Sequence, residues 1–259
     1  MKKTIMLASL LLTFFIGLPQ PGYAADWYFK PAKNNQPATT EPEYQALLNK
    51  YDGIFIGDTT KKQIYMTFDN GYEAGYTPSI LDTLKKENVP ATFFITGHYI
   101  KSQPDLVKRM VREGHIIGNH SWGHPDLSQI SDMKYEQELA KLKDAYTKLT
   151  GKPIMNYLRP PRGTFSERSM KLAKQEGYIS VFWSAAYKDW VRTEQHGGAY
   201  AYTQIMRRIH PGAIVLLHTV SKDNADALPK VIHDLKKKGY QFRSLDDLVA
   251  HRMISSDIW

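Results

Sequence analysis

Acids, imidazoles and guanidinium groups recur in this chain at one kind of place, directly after short apolar runs. Asp69-Asn70-Gly71 closes the run that begins at Ile64, and His120-Ser-Trp-Gly-His124 follows a second run. Arg159-Pro-Pro-Arg162-Gly163 follows a third, Asp189-Trp190 trails a fourth, and His218 closes a fifth that starts at Ala213. Alone, Asp-Asn-Gly reads as an Asx-type turn. The other groups suggest hydrolytic chemistry. His120 and His124 stand four apart, so one helical turn puts both imidazoles on the same side, the spacing of two-histidine metal sites. Pro125 limits helix there to a single turn. Two imidazoles with oxygen ligands and open positions suit a catalytic Zn²⁺ or a similar divalent ion. Arg159, stiffened by the prolines after it, needs a carboxylate if buried, and Asp69 is a candidate partner. Asp189 is the acid available to His218, and a carboxylate beside an imidazole raises its pKa toward that of a proton donor. Each residue also has a plainer reading: surface histidines, a salt bridge elsewhere, a core imidazole, a solvated Arg162.

The elements that must position these groups follow from periodicity. Strands are expected at 64–69, 91–96, 115–119, 156–159, 179–183, 213–217 and 240–243. Helices are expected near 77–87, 104–113, 132–149, 166–176, 199–209, 223–238 and 245–251. Four junctions share one pattern, charge followed by Asn88, Gly114, Gly177 or Gly239, which suits the left-handed position after a helix. Continuous apolar strands alternating with helices imply a parallel sheet buried on both faces, as a barrel or a doubly wound sheet. In either case active sites form at the C-terminal strand ends, where all five motifs fall. Glu43 to Tyr51 reads as a short helix, and Gly53–Gly57 as a hairpin partner of the first barrel strand.

Length and composition set the outer limits. A chain of 259 residues with 42% apolar content buries a full core as one α/β domain. Without cysteine, no disulfide supports the fold and no thiolate serves as nucleophile or ligand. Lys2 and Lys3 precede an apolar run from Ile5 to Leu18 and the small residues before Ala24, the pattern of a secretory signal peptide. The expected divisions are 1–24 signal peptide, 25–62 N-terminal arm and hairpin, 63–251 barrel, and 252–259 tail. The formal charge of +8 suits an anionic polymer such as cell wall. No nucleic-acid motif is present, so no nucleic-acid partner is expected, and the chain reads as a monomer.

Taken in order, Thr67-Phe-Asp-Asn-Gly71, His120-Ser-x-x-His124, Arg159-x-Pro-x-Gly163, Asp189-Trp190 and Leu216-x-His218 resemble the polysaccharide deacetylases with a NodB homology domain, over roughly residues 60 to 250. The resemblance implies a single-domain irregular (β/α)₇ barrel with a short N-terminal extension. It implies Asp69 as general base, His120 and His124 as metal ligands with Asn70 beside them, Arg159 steadying Asp69, and His218 as general acid tuned by Asp189. The metal implied is divalent, Zn first, with Co, Mn or Mg as alternatives. Together with the backbone N–H of Arg162 it would stabilise an oxyanion. Two departures stand out: Asn70 where the family usually has a second Asp, and Ala186 where many members have another acid.

Within the family, the chain is most similar to the delta-lactam-biosynthetic de-N-acetylases of spore-forming bacteria, through Thr67–Glu73, Arg162 and the run Leu217–Ala225. That subfamily implies N-acetylmuramic acid in peptidoglycan glycan strands as substrate, sequential action with a muramoyl-alanine amidase, and a location outside the membrane, at the cell wall or spore cortex. Arg162 is the expected grip on the lactyl carboxylate of muramic acid, with Tyr72 and Trp190 as sugar-stacking aromatics. Other expectations remain open: N-acetylglucosamine in peptidoglycan, chitin oligomers or O-acetylated xylan as substrate, or a wall-binding relative in which Asn70 has abolished the metal.

Overall fold

A run such as 63–70, buried at every residue, is covered on both sides, and a parallel sheet wrapped by helices does this. The computed structural model describes residues 24–33, 36–152 and 155–256 and has this architecture. An N-terminal arm carries β1 (Ala25–Asp26), β2 (Phe29–Lys30), β3 (Thr39–Thr40) and helix α1 (Pro42–Lys50). The barrel begins with β4 (Gln63–Asn70), α2 (Thr77–Lys86), β5 (Ala91–Ile95), α3 (Gly97–Ser102), α4 (Pro104–Arg112) and β6 (Ile116–Asn119). It continues through α5 (Asp132–Thr150) and β7 (Tyr157–Leu158) to a 3₁₀ turn (Pro161–Gly163), β8 (Thr164–Phe165), α6 (Glu167–Gln175) and β9 (Ile179–Ser180). The last elements are α7 (Gly198–Met206), β10 (Ala213–His218), α8 (Lys222–Lys237), β11 (Gln241–Phe242) and α9 (Leu245–Ser256).

The sheet order is β10-β4-β5-β6-β7-β9, with β11 beside the start of β4, and these pairings are parallel. Alternation along β4 sorts its side chains. Tyr65 joins Phe94, Tyr157, Val181 and Ile214 inside the barrel. Ile64, Met66 and Phe68 pack outward with Leu81, Leu84, Leu228 and Val231 of the helices. Asp69 is in phase with Tyr65, so the strand delivers its carboxylate to the barrel interior.

Barrel closure differs from the sequence expectation. Gly53–Gly57 is not a hairpin partner of β4. Ile54 bridges Val181 in parallel, Ile56 bridges Ala213 antiparallel, and Ala185 bridges Val215, so this segment fills the gap between β9 and β10. Ile54 and Phe55 are both buried; a surface hairpin would leave one of two successive side chains in water. The backbones approach closely here: Gly57 N–H donates to the Gly212 carbonyl at 2.7 Å. A Cβ on Gly212 would lie 2.9 Å from the Gly57 carbonyl carbon, which excludes any side chain there.

Other boundaries also move. The strands expected at 156–159, 179–183 and 240–243 shorten to two residues each, because the chain beyond them turns away to form the site loops or the closing bridges. Helix α3, unforeseen, starts where the Thr96 hydroxyl accepts from Tyr99 N–H. Helix α9 runs to Ser256, so the expected tail begins as helix. The expected signal peptide lies outside the described residues except for Ala24. The four junction residues Asn88, Gly114, Gly177 and Gly239 all have positive φ.

The arm docks through an aromatic cluster in which Trp27 is buried and Tyr44 meets Phe165 edge to face at 5.0 Å. Trp27 stacks on Phe182 at 4.5 Å within a cluster that includes Phe55 and Phe165, while Tyr28 is exposed. Its Nε1–H donates to the Trp183 carbonyl at 2.9 Å, and its backbone N–H donates to Gly163 at 2.9 Å. With β1 paired to β8, the arm braces the turn that carries Arg162.

Candidate active site

Asp69 and His218 are cross-strand partners in the register of β4 and β10. Neighbouring strands lie about 4.8 Å apart and register partners project to the same side, so a carboxylate and an imidazole face one cleft. Asp69 Oδ1 accepts from Arg159 Nη1 at 2.8 Å. Arg159 is fully buried; its Nε donates to the Val181 carbonyl at 3.2 Å, and its guanidinium lies over the Phe94 ring at 4.2 Å. Burial opposes charge on Asp69, yet Arg159, with His120 and His218 nearby, holds its carboxyl below the usual carboxylate range. Asp69 is therefore ionised and oriented.

His120 and His124 sit edge to face, with ring centroids 4.9 Å apart. The Arg159 carbonyl, 2.8 Å from His120 Nδ1, can only accept, so Nδ1 carries the proton and Nε2 keeps its lone pair. That Nε2 lies 3.5 Å from Asp69 Oδ2. Burial lowers the pKa of His120; burial and then the neighbouring imidazole bring His124 down to about 4. The loop between them is tied down. Asn119 Oδ1 accepts from Ser121 N–H, Ser121 Oγ from His124 N–H, and buried Glu138 from Gly123 N–H at 2.6 Å. Ser121, His124 and Arg162 are three of the five non-glycine residues with positive φ among the described residues. Such backbone gathers at functional sites.

On the opposite wall, Asp189 Oδ1 accepts from His218 Nδ1 at 2.7 Å, and its Oδ2 accepts from His218 N–H at 2.8 Å. Burial opposes charge on His218, but the Asp189 carboxylate outweighs it and raises the imidazole pKa. With Nδ1 committed to Asp189, Nε2 is the nitrogen left to give up a proton. Trp190 is half exposed, with its ring 5.5 Å from His218. Tyr72 is exposed at the rim, with Arg192 6.0 Å from its ring centroid. Arg162 is exposed, and its charge is felt at His124.

Comparison with known proteins gives these motifs a family. The polysaccharide deacetylase family profile matches residues 56–181. The peptidoglycan-N-acetylmuramic acid deacetylase PdaA of Bacillus subtilis is 52% identical over 232 residues, covering 90% of this chain and 88% of PdaA. The chain belongs to the polysaccharide deacetylase family. The structure of PdaA, a family 4 carbohydrate esterase, aligns with a TM-score of 0.86 over 88% of this chain and 98% of that one. A family 4 carbohydrate esterase from Bacillus anthracis, 50% identical, aligns with a TM-score of 0.75 over 88% and 97% of the two chains.

Deacetylases of this family are metal-dependent, and the residues present include donors that fit a metal ion. Among the described residues no three His, Cys, Asp or Glu side chains form a ready-made metal cluster. Two neutral imidazoles lie together beside Asp69, and the candidate oxygen donor is the next residue along β4, Asn70. Asn70 Nδ2 donates to Thr219 Oγ1 at 2.8 Å, while its buried Oδ1 has no hydrogen-bond partner, a state that suits an oxygen offered to a cation. His120, His124 and Asn70 would hold the ion, which would supply Lewis-acid polarisation of a bound carbonyl. The chain itself supplies the proton transfers. Asp69 can take a proton from an attacking water, and His218 Nε2 can give one to a departing nitrogen across the cleft.

Sequence reading missed Glu138, Thr219 and Asn224. Glu138 left one signal, a carboxylate on the same helical stripe as buried Tyr135, Leu139 and Leu142. Thr219 left none.

Proposed function

We propose that this protein hydrolyses the N-acetyl group of N-acetylmuramic acid in peptidoglycan strands whose stem peptide has been removed, a step toward muramic delta-lactam in spore cortex. The observation that carries the chemistry is the register pairing of ionised Asp69 with Asp189-backed His218. The substrate rests on the likeness to PdaA, an N-acetylmuramic acid deacetylase, and on Arg162. Arg162 has left-handed backbone and its charge is felt at His124, and this reading gives it the lactyl carboxylate that a muramoyl-alanine amidase would expose. Tyr72 and Trp190 supply exposed faces for sugar rings. The reading includes a divalent ion, Zn²⁺ first, at His120, His124 and Asn70. It also includes export by the leader at 1–24 to the wall or cortex side of the membrane.

Acetate release from purified glycan strands, with and without stem peptides, tests this. Release is expected from peptide-free strands, lost with chelator and restored by added Zn²⁺, Co²⁺, Mn²⁺ or Mg²⁺. Absence of acetate from every strand under every metal would overturn it. Arg162→Ala is expected to raise KM on peptide-free muramyl glycan about 10- to 100-fold, the worth of a charged hydrogen bond; unchanged kinetics would remove Arg162 from substrate selection.

A further inference from the structure

Asp189 orients His218, and a third side chain orients Asp189. Asn224, buried in the first turn of α8, donates from Nδ2 to Asp189 Oδ2 at 2.5 Å and to the His218 carbonyl at 3.2 Å. Its Oδ1 accepts from the Tyr187 hydroxyl at 2.6 Å. These contacts fix the amide orientation, since the reverse rotamer would set an oxygen against a carboxylate. The Nδ2 group makes two bonds and Oδ1 accepts one, so the amide is held at both ends. The backbone N–H of Asn224 is separately capped by Ser221 Oγ at 3.2 Å. The helix end therefore does not need this side chain, which leaves its contacts with Asp189 and His218 to be explained.

We propose that Asn224 is a positioning residue: it clamps the Asp189 carboxylate against His218 and so keeps the imidazole protonated for its role as acid. The clamp ties three elements together, the loop after β9 that carries Asp189, the tip of β10, and the start of α8. Without it, Asp189 Oδ2 retains only the His218 N–H, and the carboxylate is free to turn toward water entering the space left by the amide. The other charged groups facing His218 are Asp69 from β4, Arg159 beyond β7 and His120 beyond β6. None of them touches Asn224, so substitution there leaves their field in place. Tyr187 is the outer member of the chain, hydrogen-bonded to Asn224 rather than to Asp189.

The inference rests on the deacetylase reading for its kinetic arm alone; the ring titration of His218, followed by ¹⁵N-edited NMR, stands apart from it. Asn224→Ala is expected to lower the His218 midpoint by about half a pH unit or more, and Asp189→Asn by about one or more. Because one acts through the other, the double variant is expected to match Asp189→Asn alone. Tyr187→Phe, which removes one hydroxyl and no backbone contact, is expected to give a smaller shift in the same direction, and carries the test if Asn224→Ala does not fold. In acetate release, Asn224→Ala is expected to lower kcat about tenfold with KM little changed and to move the alkaline limb to lower pH. A midpoint that stays put or rises, or effects that add in the double variant, would overturn the proposal. Expected midpoint shifts in a protein that releases no acetate would instead overturn the deacetylase reading and leave the clamp standing.

Discussion

The two walls of the cleft solve opposite electrostatic problems. On the β4 wall, a carboxylate must stay charged in a place almost without water, and a fully buried cation, Arg159, stands against it. On the β10 wall, an imidazole must hold an extra proton, and an anion, Asp189, stands behind it. The first pair is sealed inside the barrel over Phe94. The second is assembled from a loop, a strand tip and a helix start, and opens to the surface beside Trp190. Thus stability and chemistry are coupled on the base wall and more nearly separable on the acid wall.

Paired substitutions test this contrast most strongly. Asp69→Asn leaves the Arg159 charge buried without its counter-ion, which costs about 3–5 kcal/mol, and removes the base, so kcat is expected to fall about 10³-fold. His218→Gln is expected to lower kcat about 10²-fold or more with a much smaller change in Tm. Equal Tm losses in the two variants would dissolve the difference between the walls. The measurements are acetate release and thermal melts of the same preparations.

A pH profile sharpens the same contrast with a smaller effect. The acid limb of kcat/KM reports His124, whose imidazole titrates at about 4, together with Asp69, whose pKa lies below the ordinary 3.8, and the alkaline limb reports His218, whose pKa lies above the ordinary 6.5. Activity is expected across the range between them. Asp189→Asn removes the anion that raises His218, so the alkaline limb is expected to move down while the acid limb stays. Stability has its own signs. The His218–Asp189 contribution is fully present below pH 6.5 and fades as pH rises through the raised value. The Asp69 contribution is present above 3.8 and fades as pH falls through the lowered value.

Much of this was legible in the chain. Apolar runs ending in Asp69, His120, Arg159 and His218 betray strand tips, because four such runs stopping on groups able to do chemistry point to one end of a sheet more than any single run does. The junction residues Asn88, Gly114, Gly177 and Gly239 announce helix ends through backbone geometry alone. What was hidden depends on partners distant in sequence. Ile54 meeting Val181 and Ile56 meeting Ala213 follow from the gap between β9 and β10, and no local pattern records a gap. Asn224 reads locally as an ordinary residue of a helix start, and only its approach to Asp189 gives it another use. Asn70 stands where the family usually has an acid; its Nδ2 donates to Thr219 Oγ1, a contact in which a carboxylate would have to be the acceptor.

The N-terminal arm has a consequence in time. Ala25 is among the earliest described residues to be made, yet its strand partner Phe165 follows most of the barrel, and Asn70 waits 149 residues for Thr219. Contacts of such separation form slowly and late. Base and acid therefore meet only when β10 has paired with β4, and Arg162 is braced only when the arm pairs with β8. A chain cut short before β10, or one whose arm has been clipped, retains many of its motifs without a completed cleft.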